Sequence, residues 1–413
     1  MPPLSRATPQ PGEAAPRPRH LFVTQNYAPE LGGIARLHVE LCRRLAHAGG
    51  VRVSTVYQGD ALAFDRGEGY PIERMPFARA GAKRLVSQLR WARRLVAQPG
   101  AVLHCGNIRP AGYAVWYAHR RTAVPYLVYA YGLDLVKEWR KIADHPLKRW
   151  AARRILGDSA GIVAISAWSA ELARTVMREA GVRRPPPVAA IDLGTDPAFF
   201  RPDRDTGSLR RRFGFGDAPL LLTVARLVPH KGQDVALRAL AALPPNVRYL
   251  VVGAGDDAGR LAAIAEQAGV ADRVVFAGSL SDDEIAEAYA TATVYVGLSR
   301  EEGVQAEGFG IAFVEAAASG TPSVAGDSGG VRSAVRDGET GFLVPPTDPA
   351  AAAAAIRRLL GDPTLLFKTG RAARQAVETH YNWDRFARET VEFADRVTAV
   401  LPNGSGASHG PRR

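Results

Sequence analysis

PAFFRPDRDTGSLRRRFGFG, residues 197–216, is dense in Pro, Asp, Gly and Arg, and the chain on either side of it repeats one pattern. Before it, short apolar runs end in polar or glycine turns: HLFVTQ from His20, VRVSTVYQ from Val51, AVLHCG from Ala101, YLVYAYG from Tyr126 and GIVAIS from Gly161. Helix-like stretches such as HVELCRRLAHAGG, starting at His38, separate them. After residue 216 the alternation restarts with LLLTVA from Leu220, RYLVVGAG from Arg248, RVVFAGS from Arg273, TVYVGLS from Thr293 and TPSVAG from Thr321. Strands this apolar are buried on both faces, and strands that alternate with helices pair in parallel through right-handed crossovers. Residues 197–216 therefore read as a linker between two doubly wound, Rossmann-like α/β domains with a cleft at the carboxyl ends of their strands. The expected division is an arm over residues 1–18, a first domain over 19–196, a second over 217–380, a terminal helix over 381–400 and a tail over 401–413.

Length and composition agree with two buried cores: 413 residues, 46% hydrophobic and 23% charged. The opening MPPLSRATPQPGEAAPRPRH has Pro and Arg but no apolar run, which fits a disordered arm and not a secretory signal. No stretch approaches the roughly 18–20 apolar residues that span a bilayer. With only Cys42 and Cys105, the expectation is a reduced cytoplasmic protein. Charge is uneven. Residues 1–200 hold 29 Lys and Arg against 15 Asp and Glu, a balance of +14, while residues 201–413 hold 24 against 26. Two basic stretches with tryptophan concentrate the excess: KRLVSQLRWARRLV, from Lys83 to Val96, and WRKIADHPLKRWAARRIL, from Trp139 to Leu156. The first spaces Leu85, Val86, Leu89, Ala92, Leu95 and Val96 as a helix would, so it reads either as a basic helix on an anionic membrane or as a surface helix with its apolar stripe on its own sheet. No recognition motif for nucleic acid accompanies the charge.

Two carboxylates, Glu307 and Glu315, flank Gly308-Phe309-Gly310 in REEGVQAEGFGIAFVEAAASG. The glycines place Glu307 on a loop and start a helix near Ile311, leaving the N–H groups of residues 309–311 unpaired at its N-terminus. Carboxylates beside free N–H groups suit a nucleotide sugar. In NYAPELGG, Gly32 and Gly33 follow the first strand and let backbone N–H groups approach a diphosphate. Arg226 and Lys231 share the loop after LLLTVA, where two cations neutralise a pyrophosphate. Tyr131 and Asp134, in YLVYAYGLD, end a first-domain strand across the cleft. Asp327-Ser328-Gly329-Gly330 ends a second-domain strand and offers further backbone donors. Asp348 before Pro349 and the alanine run reads as a capped helix start.

Taken in order, NYAPELGGI, YGLD, DLGTD, VARLVPHKGQD, RVVFAGSLSDDEIAEAYATA and EGFGIAFVEAAASGTPSVAGDSGG resemble the retaining glycosyltransferases of family 4, which have the GT-B fold. The resemblance covers about residues 19–397. It is nearest to bacterial mannosyltransferases acting on phosphatidylinositol-type lipids, chiefly in AEGFGI and AGDSGG. It implies that Glu315 holds the ribose hydroxyls and that Glu307 lies beside the donor sugar. It further implies that Phe309, Gly310 and Ile311 hold sugar hydroxyls through backbone N–H groups. Arg226 and Lys231 match the pair that binds the diphosphate, assisted by Gly32 and Gly33, and backbone near Val274, Val275 and Phe276 meets the base. The family commonly has His-Gly where this chain has Tyr131-Gly132. A tyrosine can donate a hydrogen bond there, but with a reference pKa near 10 it is no equivalent base. The implied activity is metal-independent and cofactor-free transfer of a hexose, mannose foremost, from a nucleoside diphosphate sugar such as GDP-mannose. The basic first half and its tryptophan-arginine stretches point to a lipid-linked or glycan acceptor at the inner face of the membrane, and the resemblance implies that the helix after Trp383 crosses back onto the first domain. Two other readings attach to the same chain. Gly253-x-Gly255-x-x-Ala258, with Asp272 beyond it, matches a dinucleotide fingerprint and a nicotinamide-dependent oxidoreductase. A nucleotide-sugar epimerase would share the fold and donor pocket.

Overall fold

The structure, a computed structural model, describes residues 18–30, 32–57, 61–78, 81–97 and 100–399. The expected arm, apart from Pro18, the expected tail and Leu31 of the NYAPELGG loop lie outside the described residues. Seven strands form the first sheet: β1 (His20–Val23), β2 (Val51–Val56), β3 (Ile72–Met75), β4 (Val102–Cys105), β5 (Tyr126–Ala130), β6 (Gly161–Ala164) and β7 (Val188–Ala190). Six form the second: β8 (Leu220–Val224), β9 (Arg248–Val252), β10 (Val274–Gly278), β11 (Val294–Gly297), β12 (Ser323–Gly326) and β13 (Gly341–Val344). Their orders are β3-β2-β1-β4-β5-β6-β7 and β10-β9-β8-β11-β12-β13. Neighbours pair in parallel, with His20 opposite both Val51 and Val102 and Leu221 opposite both Tyr249 and Val294.

Both sheets therefore run outward in two directions from one central strand, β1 in the first domain and β8 in the second. In such sheets the loops leaving the two strands at the reversal point diverge and open a crevice at their carboxyl ends. That places the loops after β1, β4, β8 and β11 where they can face one another. The strands earn this arrangement by burial: β1, β4, β5, β6, β11 and β12 are buried along their whole lengths, as expected for strands covered by helices on both faces. Helices start where local chemistry closes their first turn. Ser166 and Ser169 form a reciprocal capping box, as do Ser281 and Glu284, and Asp348 accepts from the N–H groups of Ala350 (2.9 Å) and Ala351 (3.0 Å) to open Pro349–Gly361.

The linker differs from an open loop. Within it Ser208–Phe213 is a short helix, and Phe200, Leu209 and Phe215 are buried. Glu287, on the Asp282–Thr291 helix, accepts from the Ser208 N–H (2.9 Å) and hydroxyl (2.6 Å) and fastens the segment to the second domain. The Gly81–Ala97 helix divides its apolar residues between two environments: Trp91, Ala92 and Leu95 are core, with Trp91 Nε1 donating to Ser54 Oγ at 2.8 Å, whereas Leu85, Val86 and Leu89 are exposed.

At the C-terminus, Pro363–Thr379 packs on the Ile311–Ala318 helix, and Trp383–Ala399 then packs on the Gly33–His47 helix and β6. Arg44 pairs with Asp384 at 2.6 Å, Arg19 pairs with Asp395, and the Phe393 ring lies directly over Gly161. The two chain crossings run side by side, joined at Thr195 and Asn382, and buried Arg385 donates to the carbonyl oxygens of Asp192 and His380.

Candidate active site

A cleft of about 830 Å³ lies between the carboxyl ends of the two sheets. Its first-domain wall begins at the loop after β1. There Asn107 holds the loop from below, accepting at Oδ1 from the Thr24 hydroxyl (2.7 Å) and the Gln25 N–H (2.9 Å) and donating from Nδ2 to Asn26 Oδ1 (2.9 Å). Gly32 and Gly33 line the cleft at the start of the Gly33–His47 helix, which has no side-chain cap, so its first N–H groups are available as donors. Arg109, Lys137 and Lys141 add positive charge along the same wall, and Arg109 pairs with buried Glu138.

Tyr131 is 5% exposed, and its hydroxyl points into the first domain. It lies 2.5 Å from His38 Nε2 and 2.9 Å from the Gly106 carbonyl. Burial lowers the His38 pKa to about 4, so the ring is neutral near pH 7. Its Nδ1 must donate to the Asn26 carbonyl at 2.7 Å, so Nε2 and the Gly106 carbonyl are both acceptors that share the one Tyr131 proton. Tyr131 thus meets the cleft with backbone and ring, not with its hydroxyl. Asp134 lines the cleft beside it and accepts from the Tyr131 N–H at 3.0 Å, and its pKa is raised to about 6, chiefly by burial.

The second-domain wall carries Arg226, Lys231, Glu307, Phe309, Gly310 and Ile311, all on the cleft. Lys231 Nζ and Glu307 Oε2 are 2.5 Å apart. The helix expected near Ile311 runs Ile311–Ala318 behind Gly310, with no side-chain cap. Phe309 buries its ring at 1% exposure, so what it offers the cleft is backbone. Gly308 touches the opposite wall: a Cβ there would stand 2.0 Å from the Tyr131 carbonyl oxygen, and Ser166 Oγ donates to Gly308 O at 2.7 Å. Gly330 N donates to Glu307 O at 2.8 Å, so the Asp327–Gly330 turn braces the Glu307 loop, while Asp327, Ser328 and Gly329 line a separate concavity of about 650 Å³.

Glu315 is buried one turn behind this loop, with Oε1 3.2 Å from Arg36 of the first domain and Oε2 accepting from the Tyr289 hydroxyl at 3.0 Å. Val274, Val275 and Phe276 do not line the cleft. Their side chains pack into the apolar layers on the two faces of the second sheet, because alternate residues of a strand point to opposite faces. The sequence reading missed His230, a buried residue on the cleft beside Lys231 whose pKa burial lowers, and two residues behind the walls, His38 against Tyr131 and Arg36 against Glu315.

The dinucleotide-like glycines have another cause. A Cβ on Gly255 would stand 2.2 Å from Leu227 O and one on Gly253 2.0 Å from Ala225 O. Leu227 N bonds Ala254 O at 3.0 Å, so the Arg226 loop packs directly against this turn. Among the described residues no group of three His, Cys, Asp or Glu could hold a metal ion.

The family described as Glycosyltransferase Family 4 matches residues 31–198, and that described as Glycosyl transferases group 1 matches residues 205–376. The GDP-mannose-dependent alpha-(1-6)-phosphatidylinositol monomannoside mannosyltransferase of Mycobacterium tuberculosis (strain ATCC 25618 / H37Rv) is 32% identical over 394 residues, covering 91% of this chain and 97% of that protein. The chain is a family 4 glycosyltransferase. A protein of the same description from Mycolicibacterium smegmatis is 36% identical over 245 residues, which span 58% of the glycosyltransferase described here and 63% of that relative. The D-inositol 3-phosphate glycosyltransferase of Streptomyces avermitilis is 33% identical over 307 residues, 70% of this chain and 64% of that one. Among solved structures, Anabaena Alr3699/HepE in complex with UDP and glucose superimposes with a TM-score of 0.74 at 20% identity, covering 92% of this glycosyltransferase and 100% of that chain. Sucrose-phosphate synthase from Thermosynechococcus elongatus does so with 0.74 at 22% identity, covering 93% and 100%. Both likenesses are of fold, and that fold is GT-B.

Proposed function

We propose that this glycosyltransferase moves a hexose, mannose foremost, from a nucleoside diphosphate sugar to a hydroxyl of a lipid-linked or glycan acceptor, with retention of configuration. The observation that carries the reading is the opposed pair of walls: Arg226 and the Lys231–Glu307 ion pair stand on one side, and the uncapped helix start at Gly32 and Gly33 on the other. A diphosphate arriving between them takes Lys231 as its counter-ion and frees Glu307 to hold hydroxyls of the sugar and stabilise positive charge at its anomeric carbon. The anomeric carbon–oxygen bond to the diphosphate breaks and a bond to the acceptor oxygen forms on the same face. The departing phosphate oxygen takes the acceptor's proton. Negative charge left on the diphosphate is met by Arg226, Lys231 and backbone N–H groups, so the step needs neither a metal ion nor a cofactor. Tyr131, backed by His38, fixes the turn against which Gly308 closes.

The acceptor approaches along the first-domain wall, where Arg109, Lys137 and Lys141 suit a phosphate-bearing headgroup. Outside this wall, Trp139 (44%), Leu147 (77%) and Trp150 (48%) are exposed among lysines and arginines, as are Leu85 and Val86. The Ala111–Thr122 helix packs against both basic stretches. Apolar and cationic side chains together favour docking on an anionic bilayer, at the cytoplasmic face. No described helix is long and apolar enough to cross a membrane. The relatives named above as mannosyltransferases of a phosphatidylinositol glycolipid support mannose and a lipid acceptor.

The test is a panel of GDP-, UDP- and ADP-sugars assayed with a phosphatidylinositol mannoside acceptor and with donor alone. Hexosyl transfer from GDP-mannose to the lipid, with the product anomer unchanged, is the expected result. An epimerised nucleotide sugar from the donor alone, with no transfer, would replace this reading with an epimerase.

A further inference from the structure

The family resemblance assigns the ribose hydroxyls to Glu315, and that residue is in an unusual setting for a ligand-binding carboxylate. It is 7% exposed on the Ile311–Ala318 helix. Burial is the main influence on its pKa and raises it. A vicinal diol needs two acceptors, and a carboxylate supplies them only while ionised, since protonation turns one oxygen into a donor. An ionised carboxylate has about four lone-pair directions. Here Tyr289 takes one on Oε2 and Arg36 one on Oε1, which leaves one open direction on each oxygen.

The surrounding groups show what keeps the charge in place. Asp282, on the helix that carries Tyr289, adds like charge, and Tyr295 of β11 faces Glu315 as a neutral phenol. Arg374, on the packed Pro363–Thr379 helix, spends its guanidinium on the carbonyl oxygens of Pro197, Phe200 and Ala318 and on Glu378. Among the described residues Arg36 is the cation paired with Glu315, and it belongs to the other domain. Its guanidinium is itself held in place over the Phe200 ring, 5.3 Å from the centroid.

We propose that Arg36 is a positioning residue for the donor nucleoside: paired with Glu315 from the other domain, it keeps that carboxylate ionised and aimed at the ribose hydroxyls, so the ribose site is complete only when both domains contribute. The proposal rests on the reading of Glu315 as the ribose ligand. It makes nucleoside affinity depend on a first-domain side chain that need not touch the nucleoside.

The experiment compares wild type, Arg36→Met and Arg36→Lys by calorimetric titration with GDP, its 2′,3′-dideoxy analogue and inorganic pyrophosphate, between about pH 5.5 and 8.5. Arg36→Met is expected to weaken GDP several-fold near pH 6, because losing the cation favours the neutral carboxyl, with the deficit shrinking as pH rises. The dideoxy analogue and pyrophosphate should change less than about twofold, and Arg36→Lys should recover most of the loss. Equal weakening of all three ligands, no change, or tighter GDP binding in Arg36→Met would overturn the role of Arg36 while wild type still prefers GDP to its dideoxy analogue. Equal binding of those two ligands by wild type would instead remove the Glu315 reading and the proposal with it. Thermal unfolding of each variant confirms that the comparison is between folded proteins.

Discussion

His20, His38 and His104 are buried in the first domain, and their ring nitrogens meet one another, carbonyl oxygens and hydroxyls instead of carboxylates. His20 Nδ1 is 3.0 Å from His104 Nε2, and His104 Nδ1 is 2.9 Å from the Tyr129 hydroxyl. Burial lowers the pKa of His20 and His38 to about 4 and that of His104 well below its ordinary value. The unfolded chain therefore binds more protons than the native one between about pH 4 and 6.5, and stability rises with pH in that window. It is fully present above about pH 6.5 and is lost toward pH 4, with a slope of up to about 1.4 kcal/mol per pH unit for each histidine. Denaturant unfolding from pH 7 down to 4.5 checks this, and His20→Gln or His104→Gln should flatten the curve. At the active site, Glu307→Gln, Arg226→Ala and Lys231→Ala should each lower kcat/KM by roughly 10²-fold or more, the scale of a lost transition-state contact, with melting temperature nearly unchanged. Glu307 and Glu315 could be singled out in the sequence because glycines punctuate the span between them. Arg36 and His38 could not, since an arginine and a histidine inside a helical stretch are ordinary until the partner across the cleft or beneath it is known.

At the scale of elements, the order of strands and the start of the helix at Ile311 follow from short apolar runs and glycine breaks, which are local signals. The linker helix escaped because Phe200, Leu209 and Phe215 follow no single period, and their burial depends on distant elements such as the Asp282–Thr291 helix. The strand VVF illustrates a different limit: apolar alternation places Val274, Val275 and Phe276 in the sheet, where only backbone is left for the base contact that the resemblance implies. The Gly253–Gly255 turn is explained by chain contact, so Gly255→Val should force the Arg226 loop out of position. The expected result is loss of transfer together with lower thermal stability, whereas an unaltered melting curve would contradict the contact. The basic helices are tested as a unit. Leu85→Asp with Leu147→Asp should reduce flotation with anionic vesicles several-fold while leaving transfer to a water-soluble acceptor intact. Equal recovery of wild type with neutral and anionic vesicles at low salt would remove the electrostatic part of the membrane reading.

Across the whole molecule, function depends on how closely two separately built sheets approach. Gly308 and Tyr131 set that distance, and Gly308→Val should hold the walls apart, lowering kcat far more than the affinity for a nucleoside diphosphate. The two domains, unlike the cross-cleft pairs, were visible in the sequence because the strand and helix pattern restarts after residue 216, while the pairs joining them lie hundreds of residues apart. The Trp383–Ala399 helix has a consequence for biosynthesis. It covers β6 and the Gly33–His47 helix of a domain whose own strands end at Ala190. At a ribosomal rate of about 5–20 residues per second, the nascent first domain waits on the order of 10–40 s, with the seat of Phe393 bare, before its last piece emerges. For that interval the apolar surface beneath Phe393 stays open to water, and a chain ending near residue 380 would leave it open permanently.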